Sequence, residues 1–122
     1  MDQAVILSTA RTPIGKAYRG AFNDTDAPTL ASFSIKASIE KADLDPSEIE
    51  DVILGAAVQQ GSQGYNIGRL SSVSSGLPVH VPGMSVDRQC ASGLMAIAIG
   101  AKQIACKEMD IVVSGGVESI SL

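Results

Sequence analysis

The chain has 122 residues, 45% of them hydrophobic, and its 9 basic and 13 acidic residues leave a formal charge of −4. That size fits one globular domain or part of a larger one. The scattered charge offers no basic face for displacing phosphate counterions, and two Tyr, two Phe and no Trp give no base-stacking platform, so nucleic-acid binding is excluded as an expectation.

The chain opens Met1-Asp2-Gln3-Ala4, without the basic and apolar regions of a signal peptide. Val5-Ile6-Leu7 leads into Ser8-Thr9-Ala10 and predicts a first strand. A helix is predicted from about Pro28 to Ala42, with Leu30, Phe33, Ser34, Ala37 and Ile39 near one face. Asp26 is its cap, and Pro28 sits in the first turn, where a missing N–H costs little. Asp45-Pro46-Ser47-Glu48 reads as a turn or short helical step. Asp51 to Val58 is the second predicted strand, Gln59 to Gly64 a loop, and Asn66 to Ser75 a short helix ended by Gly76 and Pro78. Met84-Ser85-Val86 is the third strand, Ala91 to Lys107 a long helix, and Ile111-Val112-Val113 the fourth strand.

Strands alternating with helices imply crossover connections and a mostly parallel sheet, an α/β fold with ligands at the carboxyl ends of the strands. The run Leu94 to Ala101 gives the last helix no polar face. It is too short for the ~20 residues that cross a bilayer, so it is expected between two protein layers. This chain supplies elements for only one of them, and further polypeptide is expected.

Cys90 lies where the third strand hands over to that helix. A helix amino terminus, with unpaired N–H groups and a positive dipole end, favours a thiolate. Ala91, Ser92 and Gly93 leave room for a substrate, and the Cys90 N–H is placed to help hold an oxyanion. A thiolate exchanges one thioester for another of similar energy. Ordinary packing competes with this reading, because free cysteine usually behaves as a small buried hydrophobe. Packing is the expectation for Cys106, late on the same helix. There is no Cys-x-x-Cys, and the single histidine, His80, sits between Pro78 and Pro82 in what reads as a solvated connection, so no zinc site is expected. Gly61-Ser62-Gln63-Gly64 lacks the lysine and spacing of a phosphate loop. Gly115-Gly116 is either a plain turn or a place where another backbone comes close. Glu118 is expected to cap or lie on the surface rather than to react.

Three ordered stretches resemble the thiolase family. Ser8-Thr9-Ala10-Arg11-Thr12-Pro13-Ile14-Gly15 is similar to the opening motif. Val86-Asp87-Arg88-Gln89-Cys90-Ala91-Ser92-Gly93-Leu94 is similar to the nucleophile motif. Asp110-Ile111-Val112-Val113-Ser114-Gly115-Gly116-Val117-Glu118-Ser119-Ile120-Ser121 is similar to the strand and turn that usually end Gly-Gly-x-Glu-x-Met-Ser. Asp87 stands where Asn is common and Ile120 where Met is common. The family's proteins are far longer, which makes residues 1–122 the expected amino-terminal domain of a thiolase, its carboxy-terminal half absent.

The resemblance implies two similar α/β halves stacked around central buried helices. It implies ping-pong acyl transfer between coenzyme A thioesters, by thiolytic cleavage of a 3-ketoacyl-CoA or condensation of two acetyl-CoA, with Cys90 as the catalytic nucleophile. The activating histidine and the second, acid/base cysteine of the family belong to its carboxy-terminal half and match no position here, so the isolated 122 residues are expected to be inactive. Coenzyme A enters as substrate, and no metal or bound organic cofactor is implied. A homodimer or homotetramer, a cytoplasmic location and no membrane partner are expected. The rivals are a ketoacyl-synthase-type condensing enzyme and a non-catalytic thiolase-like protein that binds lipid or coenzyme A or serves as a partner subunit. The opening Ala10-Arg11-Thr12-Pro13 and the later Gly116-Val117-Glu118-Ser119 favour thiolase over the first, and the retained Cys90 argues against the second.

Overall fold

Asp26 is extended (φ −68°, ψ 155°), and its carboxylate accepts the Thr29 N–H at 2.7 Å, starting helix α1 (Ala27–Lys41) in the computed structural model, which describes residues 2–122. That bond holds the Asp26 carboxyl below the usual carboxylate range. The buried face of α1 is Ala27, Ala31, Ser32, Ile35 and Ile39. Of the face predicted from sequence only Ile39 belongs to it, and Phe33 is 60% exposed. Asp45 and Glu48 close a reciprocal capping box on a single 3₁₀ turn, Pro46–Glu48.

Strand β1 (Asp51–Gly55) is buried along its whole length. Helix α2 (Ile67–Ser74) follows a 3₁₀ turn at Gly61–Gln63. Then come β2 (Gly83–Val86), α3 (Ser92–Ala105) and β3 (Val112–Gly116). The sheet runs β2-β1-β3, entirely parallel, with Ile53 opposite Met84 on one side and Ser114 on the other. The continuous apolar run of β1 follows from helices on both faces of a parallel sheet. Val52 and Leu54 join Ile35, Ile39, Ile49, Ile67 and Val81 in one core under α1 and α2. Ile53, fully buried, points the other way by the alternation of a strand, toward α3.

Two close backbone approaches seat α2 on β2: a Cβ on Gly68 would overlap the Met84 backbone, and one on Gly83 would overlap Gly68 and Arg69. Asn66, left-handed at φ 65°, caps α2 by accepting the Arg69 N–H and donates to the Gly83 carbonyl at 2.8 Å. Arg69 in turn donates to the carbonyls of Val81 (2.5 Å) and Val79 (3.3 Å), fixing the connection that carries His80.

Two expectations are corrected, the first strand and the packing of Cys106. The predicted first strand does not form: Val5, Ile6 and Leu7 are irregular and 69%, 76% and 61% exposed. Branched apolar side chains supply a preference for strand but not a partner. The segment is held instead by Asp2 N–H to the Ala105 carbonyl (3.3 Å), the Ser8 hydroxyl to the Ser38 carbonyl (2.5 Å) and Lys41 Nζ to the Thr9 carbonyl (3.1 Å). Its continuation forms a groove of about 410 Å³ against α1, lined by Arg11, Pro13, Phe22, Leu30, Phe33 and Ala37. The sheet therefore has three strands among the described residues. Helix α3, expected between two layers of which this chain supplies one, buries one stripe (Ser92, Ala96, Gly100) and leaves Leu94 72% exposed. Cys106, expected in packing, is exposed at the carboxyl cap of α3. No helix among the described residues is long and apolar enough to cross a membrane.

Candidate active site

The carboxyl ends of the three strands meet at one edge of the sheet. The Ala56 N–H donates to the Val86 carbonyl at 3.1 Å and the Val117 N–H to the Gly55 carbonyl at 3.0 Å, so the three exits are laced together. From Val86 the chain makes a tight turn and enters α3 at Ser92, with Cys90 exposed two residues before the helix. Ala91, the amino-terminal cap residue, provides no side-chain cap. The first N–H groups of a helix have no intrahelical partner, and here no capping side chain competes for them.

The floor of this corner is made of glycine. A Cβ on Gly55 would overlap the Ser92 carbonyl and the Gly93 nitrogen, and one on Gly116 would come within 3.1 Å of Gly93 Cα. Of the two sequence readings for Gly115-Gly116, close approach is the one found, at Gly116. The first turn of α3 rests directly on the ends of β1 and β3, and Cys90 lies two residues ahead of that turn.

The turn itself is tightly held. Gln89 has φ 49°, the left-handed region that disfavours a residue with a Cβ. Asp87 Oδ1 accepts the Gln89 N–H at 2.8 Å. The Ser92 hydroxyl accepts the Arg88 N–H at 2.8 Å and donates to the Gln89 carbonyl at 2.6 Å, and that carbonyl also accepts the Ser92 N–H at 3.1 Å.

Glu118 is a structural brace, as expected for a capping carboxylate. It accepts the Ala57 N–H (2.8 Å), the Val58 N–H (3.1 Å) and Gln63 Nε2 (2.8 Å). Gln63, fully buried, also donates to the Val58 carbonyl and accepts the Ser119 N–H. The loop after β1 is thereby tied to the turn after β3. Neither Gln63 nor the Ser92 hydroxyl bridge was found from sequence, since a Gln in a Gly- and Ser-rich loop and a Ser among small residues carry no signal of burial.

His80 is not part of the site. It is exposed in a turn ahead of β2, whereas Cys90 follows the opposite end of that strand. Cys106 is also remote, at the far end of the 14-residue α3, roughly 20 Å away at 1.5 Å per residue. Among the described residues no group of three His, Cys, Asp or Glu is arranged to hold a metal ion.

The family described as "Thiolase, N-terminal domain" matches residues 4–122. A 3-ketoacyl-CoA thiolase of Bacillus subtilis is 38% identical over 121 residues, covering 99% of this chain and 31% of that protein. An acetyl-CoA acetyltransferase of Cupriavidus necator is 39% identical, covering 99% of this chain and 30% of that protein. The peroxisomal 3-ketoacyl-CoA thiolase 5 of Arabidopsis thaliana is 42% identical over 98% of this chain and 26% of its own length. Among solved structures, the acetyl-CoA acetyltransferase of Bacillus anthracis superposes with a TM-score of 0.93 at 34% identity, over 99% of this chain and 30% of that one. The chain thus spans about three tenths of the length of the relatives it matches.

Proposed function

Because the chain belongs to the thiolase family through its amino-terminal domain, we propose that the complete protein transfers acyl groups between coenzyme A thioesters by way of an acyl-cysteine on Cys90. The observation that carries this reading is the placement of Cys90: an exposed cysteine just ahead of a helix start that no side chain caps, the first turn of that helix resting on Gly55 and Gly116.

In the first half-reaction the Cys90 thiolate attacks the acyl carbonyl carbon and a C–S bond forms. With acetyl-CoA the departing group is coenzyme A thiolate, which takes up a proton. With a 3-ketoacyl-CoA the C2–C3 bond breaks, and the acetyl-CoA carbanion is protonated as it leaves. In the second half-reaction coenzyme A thiolate, or that carbanion in the condensing direction, attacks the acyl-cysteine and restores the Cys90 thiolate. The base that prepares Cys90 and the acid/base for the second substrate are assigned to the remainder of the protein, since His80 and Cys106 lie elsewhere. Two free, exposed cysteines suit a reducing compartment. β2 lies at an edge of the sheet, and an edge strand offers unpaired backbone groups to a second copy, which supports at least a dimer.

Radiolabelled acetyl-CoA is expected to label the complete protein on the peptide containing Cys90. Cys90→Ser is expected to lose the label and the turnover of acetoacetyl-CoA. Label retained in that variant sinks the assignment.

A further inference from the structure

The residue before the nucleophile is left-handed without being glycine, and such a conformation persists only where its surroundings hold it. Two side chains hold Gln89. Asp87 does so from an exposed position, where water competes for its bond. Ser92 does so from inside: it is 3% exposed, and its hydroxyl bridges the Arg88 N–H and the Gln89 carbonyl, so the peptide groups leading into Cys90 are fixed at both ends. Ser92 in turn cannot move toward the sheet, because its carbonyl lies against Gly55.

We propose that Ser92 is a positioning residue for acyl transfer: its hydroxyl keeps Gln89 left-handed and so sets the approach of Cys90 to the acyl carbon, without touching the substrate. The inference rests on the reading of Cys90 as the acyl carrier. A nucleophile misplaced by a fraction of an ångström keeps its substrate affinity and loses rate. Ser92 should therefore control the rate constant of acylation and leave its half-saturating concentration alone.

The test is rapid-quench labelling of Cys90 by radiolabelled acetyl-CoA in the complete enzyme, across a range of acetyl-CoA concentrations. Ser92→Ala is expected to lower the maximal labelling rate by about tenfold or more with half-saturation unchanged. Ser92→Thr retains a hydroxyl and is expected to stay within about threefold of the unsubstituted enzyme. Gln89→Gly on the Ser92→Ala background is expected to recover most of the rate, since glycine adopts the left-handed conformation unaided. Should Ser92→Ala fail to fold, exposed Gln89→Val disturbs the same turn from outside and is expected to slow labelling comparably. A Ser92→Ala rate equal to that of the unsubstituted enzyme overturns the inference. So do equal losses in Ser92→Ala and Ser92→Thr, the absence of recovery with glycine, or a normal rate for Gln89→Val. If Cys90 of the unsubstituted enzyme takes no label, the acyl-cysteine reading fails and this inference falls with it. A labelled unsubstituted enzyme matched by Ser92→Ala sinks the role of Ser92 alone.

Discussion

Gln63 spends its whole carboxamide inside the protein, giving to Val58 and Glu118 and taking from Ser119. Removing it takes from the Ser119 N–H and the Val58 carbonyl the part-buried partner that Gln63 supplies. Gln63→Leu is therefore expected to cost about 1–3 kcal/mol, measured as a lowered urea midpoint at unchanged slope. The cost should appear even though no apolar area is lost. The placement of Cys90 was legible in the sequence because its signal is local, a cysteine between a strand and a helix with small neighbours. The brace was not, because Gln63 and Glu118 lie far apart in sequence and meet only after β1 and β3 pair. The same holds for the two meanings of Gly115-Gly116, which only the position of Gly93 could separate.

At the scale of elements, the helices and the three paired strands were readable from apolar runs, caps and breakers, with ends displaced by a few residues. The first strand failed because a ladder needs a neighbour, and propensity says nothing of which edge is open. The face of α1 was misassigned for a related reason: Leu30, Phe33, Ser34 and Ala37 turn toward the amino-terminal segment and line its groove, not toward the sheet. The approach to β3 also depends on a carboxylate. Glu50 accepts the N–H groups of Asp110 and Ile111 at the start of that strand, and the Asp110 bond, then the Ile111 bond, holds its carboxyl below the usual range. A group with a depressed folded value stabilises above its unfolded value and loses that contribution as pH falls through the folded one. Asp26 and Asp45 are lowered for the same kind of reason, by bonds from Thr29 and Ser47. Stability is thus expected to fall as pH drops below about 4.5. Glu50→Gln should flatten that fall, seen as a smaller difference between urea midpoints at neutral and acid pH. An unchanged difference would remove Glu50 from the account.

For the whole molecule, the amphipathic balance of α3 carries the main lesson. Its sequence lacks a polar face, yet this chain covers only the stripe of Ser92, Ala96 and Gly100. Leu94 and Ile97 stand out toward solvent on a helix whose apolar run predicts a layer on each side. Leu94→Lys is therefore expected to change the stability of the 122-residue chain by no more than about 0.5 kcal/mol, as for an ordinary surface site. The same change is expected to lower the thermal midpoint of the complete protein. Equal effects in both would mean that nothing covers this face.

The central position of β1 has a further consequence for biosynthesis. β1 leaves the ribosome first of the three strands, yet its partners are Gly83–Val86 and Val112–Gly116, each reached only after an intervening helix. At about 5–20 residues per second, its buried Val52, Ile53 and Leu54 wait for seconds with one edge and then the other unsatisfied. A nascent chain halted before Val112 should consequently be a client for chaperones that hold exposed β-structure, and one released after Gly116 should not.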